Sequence, residues 1–228
     1  MTQTATSPMQ ELSRAIRSSS VMRFLEPAAE RYAGIHLKEL DVEEVGPNRE
    51  MVIGGKTLIN FGFDSFLGLD QDPRVKAAVI RGARKWGTQF GASRAFASCH
   101  LEVELEQKIA RWMGTEAALI FPSVTLTNLG ALPALVKAKD VILVDEYAHN
   151  SIHEGTKIAK ANGVRVISFK HNNPASLEEC LVAAGPYRSA VIAIDGVYSM
   201  RGSITQMAEL NEIARRHKAV RSIEGGTA

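Results

Sequence analysis

The sequence predicts an α/β fold, a mostly parallel sheet with helices on both faces, and three observations carry that prediction. Continuous apolar runs of strand length recur at regular spacing, the segments between them have helical period and helical punctuation, and polar residues come directly after each run. The runs are AALIF (117–121), VILVD (141–145), VRVISF (164–169), AVIAID (190–195) and a weaker AVRSI (219–223). Being continuous rather than alternating, they read as strands buried on both faces. Strand, helix and strand repeated at this spacing require right-handed crossovers.

The first 50 residues hold one amphipathic stretch, MQELSRAIRSSSVMRFL, and REMVIGGKTLINF then reads as a short hairpin turning at Gly54 and Gly55. GGKT at 54–57 has the ending of a phosphate-binding loop, but without an upstream glycine and a following helix it reads as a turn. QDPRVKAAVIRGARKWG predicts a helix capped by Asp72, with Pro73 in its first turn and Gly87 after its end. In LEVELEQKIARWMG, Leu101, Leu105, Ile109 and Trp112 form one helical stripe, expected to be core. HNSIHEGTKIAKANG places Ile152 and Ala159 about Gly155 and ends at Asn162 and Gly163. In NNPASLEECLVAAG, Pro174 suits a first turn, Leu177 and Leu181 share a face, and Gly185 suits the C-terminal cap.

Composition excludes several function classes. The 228 residues are 45% hydrophobic and 23% charged, enough for a sizeable core, and the net charge of +2 is spread without the dense basic face of a nucleic-acid binder. The polar start lacks the apolar core of a secretory signal, and the apolar runs are too short to span a bilayer. Cys99 and Cys180 are isolated, fitting neither a disulfide framework nor a zinc spacing, so a cytoplasmic location is expected.

In an open parallel sheet ligands bind beyond the carboxyl ends of the strands. The polar residues just past the runs therefore make up the candidate site: Ser123 and Thr125; Asp145, Glu146 and His149; His171 and Asn172; Asp195, Tyr198 and Ser199; and Glu224. FPSVTLTN enters a helix through small hydroxyl residues. The residues alone leave open whether that turn holds an anion or is a plain N-cap. His149 and His153 stand four apart beside Glu154, but a zinc site needs a further ligand that nothing nominates, and the order differs from HExxH.

Five blocks carry a resemblance: NFGFDSFLGLDQDPRV, GASRAFASCHLEVELEQKIARWMGTEAALIF, DEYAHNSIHEG, FKHNNPASLEECL and IDGVYSMRGSI, running in order from about residue 58 to about residue 218. Together they resemble the α-oxoamine synthases, fold-type-I enzymes dependent on pyridoxal 5'-phosphate. The resemblance implies the large domain of that fold over 58–228, after an N-terminal segment, 1–57, of a helix and a short hairpin. It implies decarboxylative condensation of an amino acid with an acyl-coenzyme A or acyl-carrier thioester to an α-amino ketone, in a homodimer. It places His149 on the face of the pyridine ring, Ser199 near the phenolic oxygen, Asp195 at the acidic position four residues earlier, and Ser123, Val124 and Thr125 about the phosphate.

The sequence also departs from that family. Val124 and Thr125 stand where a glycine and an aromatic residue are usual, and Arg201 and Ser203 replace two aspartates, Arg201 being expected in solvent. Glu224 falls near the aspartate that would pair with the pyridinium nitrogen. No lysine occurs after Lys218, so the Schiff-base lysine lacks a counterpart. The expectation is a piece of such an enzyme, inactive alone, exposing apolar surface. The alternative is a non-catalytic partner in a heterodimeric synthase.

Overall fold

The computed structural model describes residues 7–18, 40–62 and 65–224, with only the backbone of Arg17 and Glu224. They fall into two compact units, one ending at Gly87 and the other beginning at Thr88.

In the first unit α1 (Pro8–Arg17) begins in a capping box, the Ser7 hydroxyl accepting from the Gln10 N–H and the Gln10 side chain from the Ser7 N–H. The amphipathic stretch that the sequence carries on to residue 25 lies beyond Ser18 outside the described residues. Strands β1 (Glu44–Val45), β2 (Glu50–Ile53) and β3 (Lys56–Ile59) form an antiparallel sheet. Gly54 and Gly55, at φ 56° and 69°, make the two-residue turn between β2 and β3, the backbone region where glycine costs least. Helix α2 (Pro73–Trp86) has the expected punctuation, Asp72 accepting from the Arg74 N–H and Gly87 closing the end.

The second unit carries the main sheet. After α3 (His100–Met113) and α4 (Val124–Leu135) come β4 (Val141–Asp145), α5 (Asn150–Ala161), β5 (Arg165–Phe169), α6 (Pro174–Ala183) and β6 (Ala190–Asp195). A small hairpin, β7 (Val197–Tyr198) and β8 (Ser203–Ile204), leads to α7 (Met207–Arg216) and β9 (Val220–Glu224). The sheet is parallel, in the order β5-β4-β6-β9. Successive residues of its central strands face opposite layers. Val141, Leu143, Ile192 and Ile194 pack with Leu177 and Leu181 of α6 and Leu210 and Ile213 of α7. Ile142, Val144, Val191 and Ala193 pack with Leu132 of α4 and Ile152 and Ala159 of α5.

Three expectations need correction. Residues 117–121 form no strand: the segment pairs with no other described strand, and the Ile120 N–H donates instead to Glu106 Oε1 at 2.9 Å. The Arg94 guanidinium, and then that N–H, hold the Glu106 carboxyl down at about 2. Among the described strands of this sheet, burial on both faces holds for β4 and β6, whereas β5 and β9 stand at the edges, with Arg165 and Val220 exposed. The α3 stripe is not core: Leu101, Leu105 and Trp112 are exposed, Trp112 by 85%, and Ala110 is the buried residue of that helix.

At the amino ends of the strands the buried Asp140 carboxylate accepts from Arg188 Nε at 2.8 Å and from the Lys137 N–H at 2.7 Å. Arg188 beside it holds its carboxyl below the ordinary carboxylate range. A depressed carboxyl stabilises the fold above its unfolded-state value, about pH 4, and loses that contribution as pH falls through the folded value. Thermal melts of Arg188→Met should therefore lie below those of the parent at pH 7, with the gap closing under about pH 4.

Candidate active site

The carboxyl ends of β4 and β6 place two buried aspartates side by side, and each organises a different set of groups. Asp145 ends β4 with its side chain fully buried. Its Oδ1 accepts from the Tyr147 N–H at 2.8 Å and lies 2.9 Å from His171 Nδ1; its Oδ2 accepts from the Asn172 N–H and the Tyr198 hydroxyl, each at 2.8 Å. An ionised carboxylate only accepts, so His171 Nδ1 carries a proton, and Nε2 on the other side of the ring lies 2.9 Å from Ser203 Oγ. The His171 ring meets Tyr198 edge to face, 4.4 Å between centroids. Burial, and then the Asp145 carboxylate, push the Tyr198 hydroxyl far above the ordinary phenol value, so it remains a donor.

Asp195 ends β6 and turns to the other group. Its Oδ2 accepts from the backbone N–H of His149 at 3.0 Å, and its carbonyl accepts from the Thr205 hydroxyl. His149 is thereby fixed as the N-cap of α5. Its Nδ1 accepts from the Ser151 N–H at 3.3 Å and sits 2.7 Å from Ser151 Oγ, which itself accepts from Asn128 Nδ2 at 2.8 Å. A backbone N–H can only donate, so the proton of the neutral ring resides on Nε2. Ser151 and Asn128 are both buried and connect the ring to α4.

That connection depends on how closely α4 and α5 approach. A Cβ on Gly155 would lie 2.4 Å from the Asn128 carbonyl oxygen, so only glycine admits this crossing. Ser123, at the start of α4, caps it by accepting from the Leu126 N–H at 3.2 Å, and Val124 and Thr125 come next as the first helical residues. Their N–H groups belong to the helix end that lacks intrahelical partners.

A cleft of about 870 Å³ opens over this edge. His149, Asp195 and Ser199 line it together, with Tyr147, His153 and Arg201. Ser123, Val124 and Thr125 are not among its lining residues, and the side chain of Glu224 lies outside the described residues, although its backbone pairs in register with Asp195. His171 and Asn172 turn to Asp145 and the β7–β8 hairpin rather than into the cleft. His153, one turn after His149 on α5, is half-buried in the cleft wall. Arg201 is exposed as expected, yet its Cζ lies 3.7 Å from the centre of the Tyr147 ring. Sequence reasoning missed Tyr147, Ser151 and Asn128; position just after a strand was a signal for Tyr147 alone. Among the described residues no three His, Cys, Asp or Glu side chains are grouped to hold a metal ion, and no helix is long and apolar enough to cross a membrane.

A doubly covered parallel sheet with its cleft at the carboxyl edge defines an α/β ligand-binding domain of the kind that holds cofactors at that edge. The chain belongs to the aminotransferase class I and II family, whose model matches residues 56–221, and its relatives place it among the α-oxoamine synthases, as its sequence blocks indicated. A putative 8-amino-7-oxononanoate synthase of Caulobacter vibrioides is 42% identical over 167 residues, covering 72% of this chain and 43% of that protein. The 8-amino-7-oxononanoate synthase of Maricaulis maris is 38% identical over 208 residues, covering 89% of this chain and 52% of that protein. A serine palmitoyltransferase solved with pyridoxal phosphate superposes with a TM-score of 0.83 over 96% of this chain and 52% of its own, sharing the fold at 24% identity. The chain spans about half the length of the curated relatives it matches.

Ser151→Ala removes the hydroxyl between His149 and Asn128 while leaving the backbone N–H in place. The expected result is that Nε2–H still predominates at His149, read from its two 15N shifts, because the Ser151 N–H continues to donate to Nδ1; equal populations of the two tautomers would mean that the hydroxyl alone sets the ring.

Proposed function

We propose that this chain binds pyridoxal 5'-phosphate in the cleft over His149, as part of an enzyme that condenses an amino acid with an acyl thioester, coenzyme A- or carrier-bound, to an α-amino ketone. The observation that supports it best is His149 itself: an N-cap ring of fixed tautomer on the wall of a cleft that also presents Asp195 and Ser199. The donor set suits the cofactor. An imidazole can lie against a pyridine ring, an exposed serine hydroxyl can donate to a phenolic oxygen, and the first N–H groups of α4 suit a phosphate.

When bound, the cofactor supplies an electron sink for a carbanion. The protein's share is placement. Asp195 anchors the His149 backbone, and Asn128 and Ser151 hold the ring's tautomer, so that Nε2–H is the donor edge. Val124 and Thr125 are assigned to the phosphate, Ser199 to the phenolic oxygen and Glu224 to the pyridine nitrogen. Among the described residues no lysine lines the cleft, and Lys218 precedes β9 at the far end of the strands. The 228-residue chain is therefore assigned reversible cofactor binding without turnover.

Titration with pyridoxal phosphate followed by absorbance and tyrosine quenching tests this. Saturable binding is expected, with His149→Ala weakening it about fivefold to tenfold through lost ring contact. Unsaturable binding, or equal affinity in the variant, would count against the assignment. Release of free coenzyme A from an acyl-coenzyme A and an amino acid by this chain alone would refute the absence of turnover.

A further inference from the structure

We propose that Arg201 forms an anion-recognising subsite at the edge of the cleft, taking an oxyanion, carboxylate or phosphate, carried by the substrate. The proposal rests on the reading of the cleft as a substrate and cofactor site, and names a chemical feature of the molecule that enters it. Arg201 lies in the tight turn between β7 and β8, next to Gly202 at φ 65°, and projects back over Tyr147 on the loop after β4. With Cζ 3.7 Å from the ring centre, one face of the guanidinium is against the aromatic ring. The N–H donors of a guanidinium point outward in its plane, so contact on one face leaves its edges available. Holding the side chain there also removes rotamer freedom before any ligand arrives, which lowers the cost of binding.

The charges around it leave the cation uncompensated. Among the described residues Arg201 makes no ion pair with a carboxylate. The two carboxylates of the cleft are committed elsewhere: Glu146 Oε1 accepts from the His171 N–H at 3.0 Å with Lys170 beside its other oxygen, and Asp195 holds the His149 N–H. The same wall presents His153 and the exposed Ser199 hydroxyl, further donors for an oxyanion. A planar fork fixed on a ring, with donors at its edge and no internal carboxylate, matches the two oxygens of a carboxylate or of a phosphate.

The test uses the whole 228-residue chain without cofactor, titrated separately with succinate and with inorganic phosphate, monitoring the Arg201 Nε–H resonance. One or both ions should saturate that resonance, and the ion that does so identifies the anion class. Arg201→Gln should weaken the same ion's binding, measured by calorimetry, at least about fivefold, the loss of a charge-assisted hydrogen bond. Arg221→Gln, on the edge strand β9, should leave it unchanged. If neither ion moves the resonance, or if Arg201→Gln keeps the parent affinity, the subsite does not exist. Pyridoxal phosphate binding is scored independently through His149→Ala, so an intact anion response with no cofactor binding would sink the functional reading alone.

Discussion

Gly155→Ala should destabilise the protein by about 2 kcal/mol, lowering its melting temperature by roughly 4–8 °C. Alanine in a helix interior normally gains up to about 1 kcal/mol over glycine. Here the added methyl meets the Asn128 carbonyl oxygen at 2.4 Å and Leu132 Cδ1 at 3.0 Å, so α4 and α5 must separate, and overpacking of this kind costs about 1–3 kcal/mol or more. The steric loss wins because the obstructing atom is backbone and has no rotamer to change. Gly82→Ala, in α2, is the internal control: nothing lies within 4 Å of its added Cβ, so the propensity gain should appear with the opposite sign. Separation of α4 and α5 should also break the Asn128–Ser151 hydrogen bond, while the Ser151 N–H, inside α5, keeps its contact with His149 Nδ1.

Asp145→Ala is expected to cost about 3–5 kcal/mol, the sum of leaving several buried donors without their acceptor at about 1–3 kcal/mol each, partly relieved by relaxation. Four donors converge on this carboxylate, two of them backbone N–H groups that cannot rotate away. Asp145→Asn keeps one acceptor oxygen but turns an amide toward donors, so it should fall between parent and alanine. Urea unfolding checks both, with the midpoint falling while the slope stays constant. A change in the alanine variant of less than about 1 kcal/mol would mean that water reaches the vacated donors.

Much of this architecture was legible from local pattern. VILVD and AVIAID are continuous apolar runs because β4 and β6 have neighbours on both sides and helices on both faces. AALIF looks the same in sequence but pairs with no other described strand, which no local pattern reports. The α3 stripe misled similarly, since periodicity identifies the face a helix could bury and not whether anything covers it. His149, Asp195 and Ser199 could be read because the sheet-edge rule and the family blocks point to them together. Their supports could not: the Asn128–Ser151 contact exists only where two helices cross at Gly155, and the Arg201–Tyr147 contact only where a hairpin folds back over a loop 54 residues earlier.

Asp145 and Asp195 are the last residues of the two strands that have a neighbour on each side, whereas among the described residues β5 and β9 each pair on one side. In a hierarchy of local openings, edge strands exchange their amides with solvent first and doubly flanked strands last. The backbone floor of the cleft should thus outlast its rim: fraying at β5 or β9 loosens the surroundings of the two aspartates well before it reaches the strands that carry them.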